Sequence, residues 1–249
     1  MSTAKSERAH PVVSQEEWIT ARRTLLEKEK ALTRLRDALS AERRALPWVK
    51  VEKNYVFEGP NGQETLADLF AGRSQLIVHH FMLGPGWSQG CVGCSFQADH
   101  AEGALVHLEH HDVSYVRVAR APLDEIDAFR NRMGWVAKWV SSCGSDFNYD
   151  YGVSFRKEDI EKGTAVYNFG TTRATIEDLH GLSVFTRNGA GEVFHTYSLY
   201  GRGGEPGLTT YFYLDTTPKG RAESGPGHNL TDWVRHHDRY DVAALPVAG

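Results

Sequence analysis

The sequence predicts a mixed α/β fold, with a central mixed sheet flanked by helices and a long N-terminal helix ahead of it. Three observations predict this. First, an apolar run from Gln75 to Leu83 reads as a buried strand, and it is followed by Cys91-Val92-Gly93-Cys94 and a helical stretch from Ser95 to His110. Second, the alternation continues downstream, with a strand from Val113 to Ala119, a helix opened by Pro122, and a hairpin around Arg187-Asn188-Gly189-Ala190-Gly191. Third, Trp18, Leu25, Leu32 and Leu39 recur every seven residues within a charged N-terminal segment.

Taken in order, Ser14 to Ala45 reads as one helix. Ser14 is its N-cap, and Glu17 completes a capping box. The helix stops before Pro47, which cannot continue it. A helix with so narrow an apolar stripe must lie along its own domain or pair with a second chain. The seven-residue spacing points to a homodimer contact. Trp48 to Phe57 alternates apolar and polar residues and reads as one strand, with a turn at Gly59-Pro60-Asn61-Gly62. Thr65 to Phe70 reads as a helical turn closed by Gly72. Pro122 to Arg132 is a helix, and Trp135 to Val140 is extended. Gly144 to Gly152, polar and aromatic, reads as a surface loop. Tyr211 to Leu214 belongs to a late helix or strand, and Asn229 to Arg239 to a last short helical segment. The organisation is a helical arm over 1–45, a main domain over 46–218, and a C-terminal tail over 219–249.

Composition bounds the function. The 249 residues carry a net charge of −4, which argues against nucleic acid or an anionic membrane surface as partner. The apolar runs fall far short of the ~20 residues a membrane span needs. Met1 to Arg8 has no apolar stretch behind it, so no secretory signal is expected. The three cysteines, Cys91, Cys94 and Cys143, do not make a disulfide framework. A reducing cytoplasm fits, with any Cys91–Cys94 disulfide transient.

A Cys-x-x-Cys between a strand and a helix suits thiol–disulfide chemistry. The first cysteine sits at the helix N-terminus, where unpaired backbone N–H groups stabilise a thiolate. The second lies one turn on along the same face and can attack a mixed disulfide. Cys91 is therefore expected to be the more acidic and more reactive thiol. An inert buried pair is the plainer alternative. A zinc site built from four cysteines is excluded by count, whereas a mixed Cys/His site is not.

The segment Gly181-Leu182-Ser183-Val184-Phe185-Thr186-Arg187-Asn188-Gly189 resembles the penultimate strand and turn of thioredoxins. The loop Gly84 to Cys94 resembles their active-site loop with a few added residues. More closely, the chain resembles DUF899, a bacterial family of thioredoxin-like proteins. The matching stretches include Pro11-Val12-Val13-Ser14, Ala45-Leu46-Pro47-Trp48-Val49, Phe81-Met82-Leu83-Gly84-Pro85-Gly86-Trp87, Gly144 to Asp150 and Leu214 to Arg221. The resemblance implies a thioredoxin-like fold. Aligning Leu182 to Phe185 with the thioredoxin strand puts His180 where thioredoxins carry a cis-proline. Thioredoxins also keep a buried acid on the strand before the loop, where this chain has His79 and His80. Adjacent strand residues face opposite sides, so one of the two points at the sulfurs, and His80 is the better match by its offset from Phe81.

Three functions compete. In a thiol–disulfide oxidoreductase, Cys91 attacks, Cys94 resolves, and His180 and His80 assist proton transfer, with Trp87 and Ser88 lining the substrate site. No cofactor is required. In a thiol peroxidase, the Pro85 to Cys91 stretch keeps the Ser88 spacing of peroxiredoxins, one residue short at the proline, with Arg120 as a distant activating cation. In a metal-binding protein, Cys91, Cys94 and His180, with or without His80, form a soft site for zinc, copper or iron. The expected partner is a protein or small-molecule disulfide or thiol. His100, Cys143 and the Ser145 to Tyr151 loop are weaker candidates, each more simply structural.

Overall fold

A computed structural model of the chain describes residues 10–241. The expectation placed on Met1 to Arg8 lies outside the described residues. The chain divides into two compact units, 1–47 and 48–249.

The first unit is α1 (Gln15–Arg44), 30 residues long. Ser14 caps it as the sequence indicated. The Ser14 hydroxyl accepts from the Glu17 N–H at 3.3 Å, and the Glu17 carboxylate accepts from the Ser14 N–H at 2.9 Å. Glu16 and Glu17 in the first turn and Arg43 and Arg44 in the last complement the helix dipole.

The second unit begins with β1 (Val49–Lys50), β2 (Val56–Gly59) and β3 (Gly62–Thr65). Next come β4 (Gln75–His80), α2 (Val92–Glu102), α3 (Leu105–His110) and β5 (Val113–Ala119). They are followed by α4 (Leu123–Arg132), β6 (Lys138–Ser141), α5 (Phe147–Asp150) and α6 (Lys157–Glu161). The last elements are β7 (Val166–Tyr167), β8 (Thr172–Arg173), β9 (Gly181–Arg187), β10 (Val193–Tyr200) and α7 (Thr209–Asp215). The main sheet runs β1-β10-β9-β4-β5-β6-β2-β3. Within it β4, β5 and β6 are parallel, and β9 is antiparallel to β4. The inner order β10-β9-β4-β5, with a helix crossing from β4 to β5, is a thioredoxin-like arrangement. No helix among the described residues is long and apolar enough to cross a membrane.

Alternation along the strands builds two cores. Leu76, Val78, Val116, Val118 and Phe185 point to one face and pack with Phe57, Phe70 and Phe147. The opposite face carries Phe81, Ala119 and Trp139 and is covered by Ala98 of α2 and by Ile126 and Phe129 of α4. His79, Arg117 and Trp139 lie in register on that second face. Arg117 is fully buried there. It donates to Glu102 Oε1 at 2.5 Å and to the Ala98 carbonyl at 2.9 Å, so it clamps α2 to the sheet. The Tyr115, Trp135 and Trp139 rings flank the guanidinium at 5.3–5.6 Å.

Several elements differ from the sequence reading. Trp48 to Phe57 is two strands, β1 at one edge of the sheet and β2 next to the other edge, because polar Glu52, Lys53 and Asn54 break the run. The expected Ser95 to His110 helix starts earlier, at Val92, and breaks at Gly103, where helix propensity is weakest. Gly144 to Gly152 is not a surface loop. Its aromatic Phe147 is fully buried among Tyr55, Phe57 and Tyr151, and the stretch forms the short α5. Asn229 to Arg239 is two 3-10 turns, Leu230–Asp232 and His237–Arg239, because its side chains bond outward to the domain. Tyr211 to Leu214 resolves as helix.

The Arg117 clamp generates a stability prediction. Removing one partner of a buried ion pair strands the other charge and costs about 3–5 kcal/mol. Glu102→Ala is therefore expected to lower the urea-unfolding free energy by about 3 kcal/mol, since Glu102 is itself partly exposed. A loss under about 1 kcal/mol, the range of a surface pair, would show that the pair is not the clamp described.

Candidate functional site

The cysteine pair is held by β4's extension. Past the end of β4, the Met82 carbonyl accepts the Cys91 N–H at 3.0 Å, and the Met82 N–H points at Cys94 Sγ at 3.5 Å. Cys91 is the N-cap of α2, with φ −57° and ψ 135°. Its carbonyl accepts from both the N–H and the hydroxyl of Ser95 at 2.9 Å, which starts the helix. The residue before it, Gly90, leaves no room for a side chain, because a Cβ there would lie 2.4 Å from the Phe81 ring. The loop can reach the helix only by this close passage.

The three cysteines are free thiols, and the two of the pair differ in depth. Cys91 is half-buried and Cys94 is buried at 2% exposure. The hydrogen bond from Cys94 holds the Cys91 pKa down at about 6, and the backbone N–H groups of Cys94 and Gly93 and the nearby His180 add to this against the opposing effect of burial. Burial drives Cys94 the other way, well above the ordinary thiol range, and the Cys91 sulfur reinforces it. The order of acidity expected from position alone is thus the order the geometry produces.

Cys91, Cys94 and His180 line one cavity of about 330 Å³. His180 stands at the start of β9, as its alignment implied. Its Nε2 lies 3.0 Å from the Gly201 carbonyl, and the Tyr167 hydroxyl bridges the His180 carbonyl and the Gly201 N–H. Further lining comes from Leu208, Tyr211, Arg202, Glu205 and Glu223, and from His228 to Thr231 of the C-terminal stretch.

The remaining sequence candidates are placed elsewhere. His80 lies on the wrong face: its register partner Val118 belongs to the core opposite α2, its Nε2 lies 2.9 Å from the Ser183 hydroxyl, and its ring stacks on Phe147 and Tyr151. Burial lowers its pKa to about 3. The histidine on the α2 face is His79. The parity follows from Arg117, which pairs with His79 and bonds to α2. The Nδ1 of His79 meets the Tyr115 hydroxyl at 3.1 Å, its Nε2 is buried without a partner, and burial holds its pKa well below the usual range. Trp87 and Ser88 are exposed and are not among the residues lining the cavity. Arg120 is engaged by both oxygens of Asp178 at 2.7 Å and by Tyr149. His100 braces α7, its Nε2 accepting from the Thr210 N–H at 3.0 Å. Cys143 is exposed and is not among the lining residues. Among the described residues no three His, Cys, Asp or Glu side chains are grouped to hold a metal ion, so Cys91, Cys94 and His180 do not form the donor set the metal reading requires.

The cavity's roof was missed in the sequence. Leu230 comes within 3.4 Å of the point where a Gly93 Cβ would sit, and Cys91 Sγ lies 3.7 Å from the same point. His236 Nε2 holds the Gly90 carbonyl at 2.9 Å. The signal available was the cluster Leu230, Trp233 and Val234 in an otherwise polar stretch, which packs on Phe96 of α2.

No curated protein matches the chain. Among solved structures it is similar to peroxidoxin BcpB from Mycobacterium tuberculosis, at 11% identity over 66% of this chain and 95% of that one, with a TM-score of 0.47. It is also similar to a cysteine-to-serine mutant of peroxiredoxin Q from Xanthomonas campestris, at 13% identity over 64% and 90% with a TM-score of 0.43. A cysteine-to-serine mutant of PrxQ from Xylella fastidiosa aligns at 12% identity over 67% and 94%, with a TM-score of 0.44. The family described as "Bacterial protein of unknown function (DUF899)" matches residues 7–240, and the chain belongs to it.

Proposed function

We propose that this chain is a thiol–disulfide oxidoreductase in which Cys91 is the nucleophile and Cys94 the resolving thiol. The observation that carries the reading is the split between the two sulfurs: Cys91 opens on a cavity at a helix N-terminus, while Cys94 sits buried one turn along and hydrogen-bonds to it. A thiolate attacks disulfides and a thiol does not, so a group ionised at neutral pH beside one that stays protonated assigns the order of attack. His180, on the cavity wall, favours the Cys91 anion by its positive charge when protonated. A reducing compartment would keep the pair ready, and the partner is a disulfide or thiol.

Alkylation tests the assignment. The iodoacetamide rate at Cys91, followed by mass spectrometry, is expected to rise with pH to half its maximum near about 6, while Cys94 stays unreactive through neutrality. If Cys91 alkylates no faster at pH 7 than Cys143, it is not an activated nucleophile. Cys91→Ser is expected to abolish exchange, and Cys94→Ser to accumulate a mixed disulfide on Cys91.

The same pKa is visible in stability. The folded value, about 6, lies below the ordinary 9.0, so ionised Cys91 favours the folded state. This contribution is complete above pH 9.0 and is lost as pH falls toward about 6. Cys94, shifted upward, opposes it only above the same 9.0. The reduced protein is therefore expected to gain stability between pH 6 and 9 relative to Cys91→Ser. Equal slopes in the two denaturation series would show that the Cys91 pKa is not depressed.

The partner surface of α1 is proposed to be a second copy of the chain. Trp18, Leu25, Leu32 and Leu39 are 42–53% exposed and keep the seven-residue spacing. Burying a leucine is worth about 1.5–3 kcal/mol, so Leu32→Asp is expected to weaken association at least about tenfold in light scattering. A wild-type monomer at high micromolar concentration would rule the contact out.

A further inference from the structure

The substrate class is argued from the cavity walls, and this rests on the thiol–disulfide reading above. Cys91 does not open on a flat surface. Its cavity of about 330 Å³ is at the small end of ligand pockets. The C-terminal stretch roofs it, with Leu230 beside Gly93 and the Cys91 sulfur. That roof is fixed at several points. Leu230 and Val234 pack with Phe96 of α2, His236 holds the Gly90 carbonyl, and Asp232 takes the N–H groups of Gly225 and Gly227 at 3.0 and 2.8 Å. Asp238 pairs with Arg132 at 3.1 Å and His237 with Asp99 at 2.7 Å. A folded protein would have to drive its disulfide under this roof.

The charges of the lining point the same way. Glu205 is already bound by Arg202 at 2.6 Å and by Arg221 at 3.4 Å, and Glu223 accepts from the Tyr211 hydroxyl. Arg202, exposed at the rim, is paired with Glu205, and the lining holds two carboxylates against one guanidinium and the imidazoles of His180 and His228. An anionic ligand finds no guanidinium or ammonium free to pair with it among those described lining residues. The body of the cavity is formed by Leu208, Tyr211 and Leu230 with Gly93, Gly201 and Gly204, whose missing side chains leave the space. The geometry points to a small uncharged disulfide as the substrate of Cys91, in preference to a protein disulfide or an anionic one.

The single turnover balances as follows for a disulfide RSSR. The Cys91 thiolate attacks one sulfur, forming the Cys91–S–S–R bond and releasing RS⁻, which takes a proton from water. Cys94 attacks Cys91 Sγ and releases the second RS⁻, and the Cys94 proton passes through solvent to that RS⁻ to give the second RSH. The pair gives two electrons, RSSR becomes two RSH, and a Cys91–Cys94 disulfide remains.

The test uses the full chain carrying Cys94→Ser and measures mixed-disulfide formation at Cys91 with three probes: hydroxyethyl disulfide, glutathione disulfide and insulin. Each rate is divided by that of mercaptoethanol thiolate with the same probe, which removes intrinsic reactivity. The normalised rate for hydroxyethyl disulfide is expected to exceed both others by about tenfold, the order of discrimination one apolar pocket supplies. A normalised rate for insulin or glutathione disulfide equal to or above it overturns the inference and leaves Cys91 as the nucleophile. If Cys91 reacts with no probe and resists iodoacetamide as well, the thiol–disulfide reading itself falls and takes the inference with it. Adding Leu230→Ala opens the roof, and the normalised insulin rate is then expected to rise about threefold or more while hydroxyethyl disulfide changes less. An unchanged insulin rate in that variant overturns the roof as the selective element.

Discussion

The placing of both thiols depends on one stitch between Met82 and the cysteine pair. β4 is hydrogen-bonded on both sides, to β9 and to β5, so its path is set by the sheet. Met82 lies two residues past its end, and its carbonyl and N–H engage Cys91 and Cys94 respectively. The loop between them is fixed at its return by the closed space around Gly90. The helix that starts at Cys91 inherits its direction from these bonds. With the start fixed, the sulfur of the N-cap meets the free N–H groups of the first turn, and the sulfur three residues on is turned into the core. The two thiols shift in opposite directions from this placement: the Cys94 hydrogen bond, the first-turn N–H groups and the nearby His180 hold Cys91 down, while burial drives Cys94 up.

Beneath α2 the sheet presents a polar row where a simple core would be apolar. His79, Arg117 and Trp139 occupy neighbouring positions on β4, β5 and β6. Burying a guanidinium is tolerable because its Nη atoms are bonded and three aromatic rings surround it. What the row provides is registry. Arg117 reaches a carboxylate and a carbonyl on α2, so the helix cannot slide along the sheet without stranding a buried charge. The positive charge of Arg117 also acts with burial to keep His79 neutral. A neutral imidazole with a buried, unpartnered Nε2 therefore lies on the same face as α2.

Local chemistry made much of this legible from the sequence. The α1 cap, the Cys91 turn, the hairpin of β9 and β10 and the alternation of strands and helices each have a signal within a few residues. Parity was less accessible. Whether His79 or His80 faces α2 is a question of which side of the sheet the helix covers, and a strand's own residues do not say. The answer lies in Arg117, sited on a different strand and bonded to a third element. Phe147 failed for a related reason: the polar residues around it suggested a surface, while its ring is claimed by Tyr55 and Phe57 from β2 and the turn before it. The split of Trp48 to Phe57 was hidden because pairing with β10 at one side of the sheet and with β6 and β3 at the other leaves no local mark.

The C-terminal stretch shows how a segment without regular structure becomes part of a site. His100 of α2 accepts from the Thr210 N–H and so sets α7 against α2. The chain leaving α7 is then directed back across the cavity, where Leu230 and Val234 join Phe96 and Tyr211 in a small core of their own. The final tie, from His236 to the Gly90 carbonyl, returns to the residue immediately before Cys91. Roof and cysteine loop thus share this bond, at a glycine with no room for a side chain. The stretch that lines the cavity thus also bonds to the loop before Cys91, although its sequence reads as a tail.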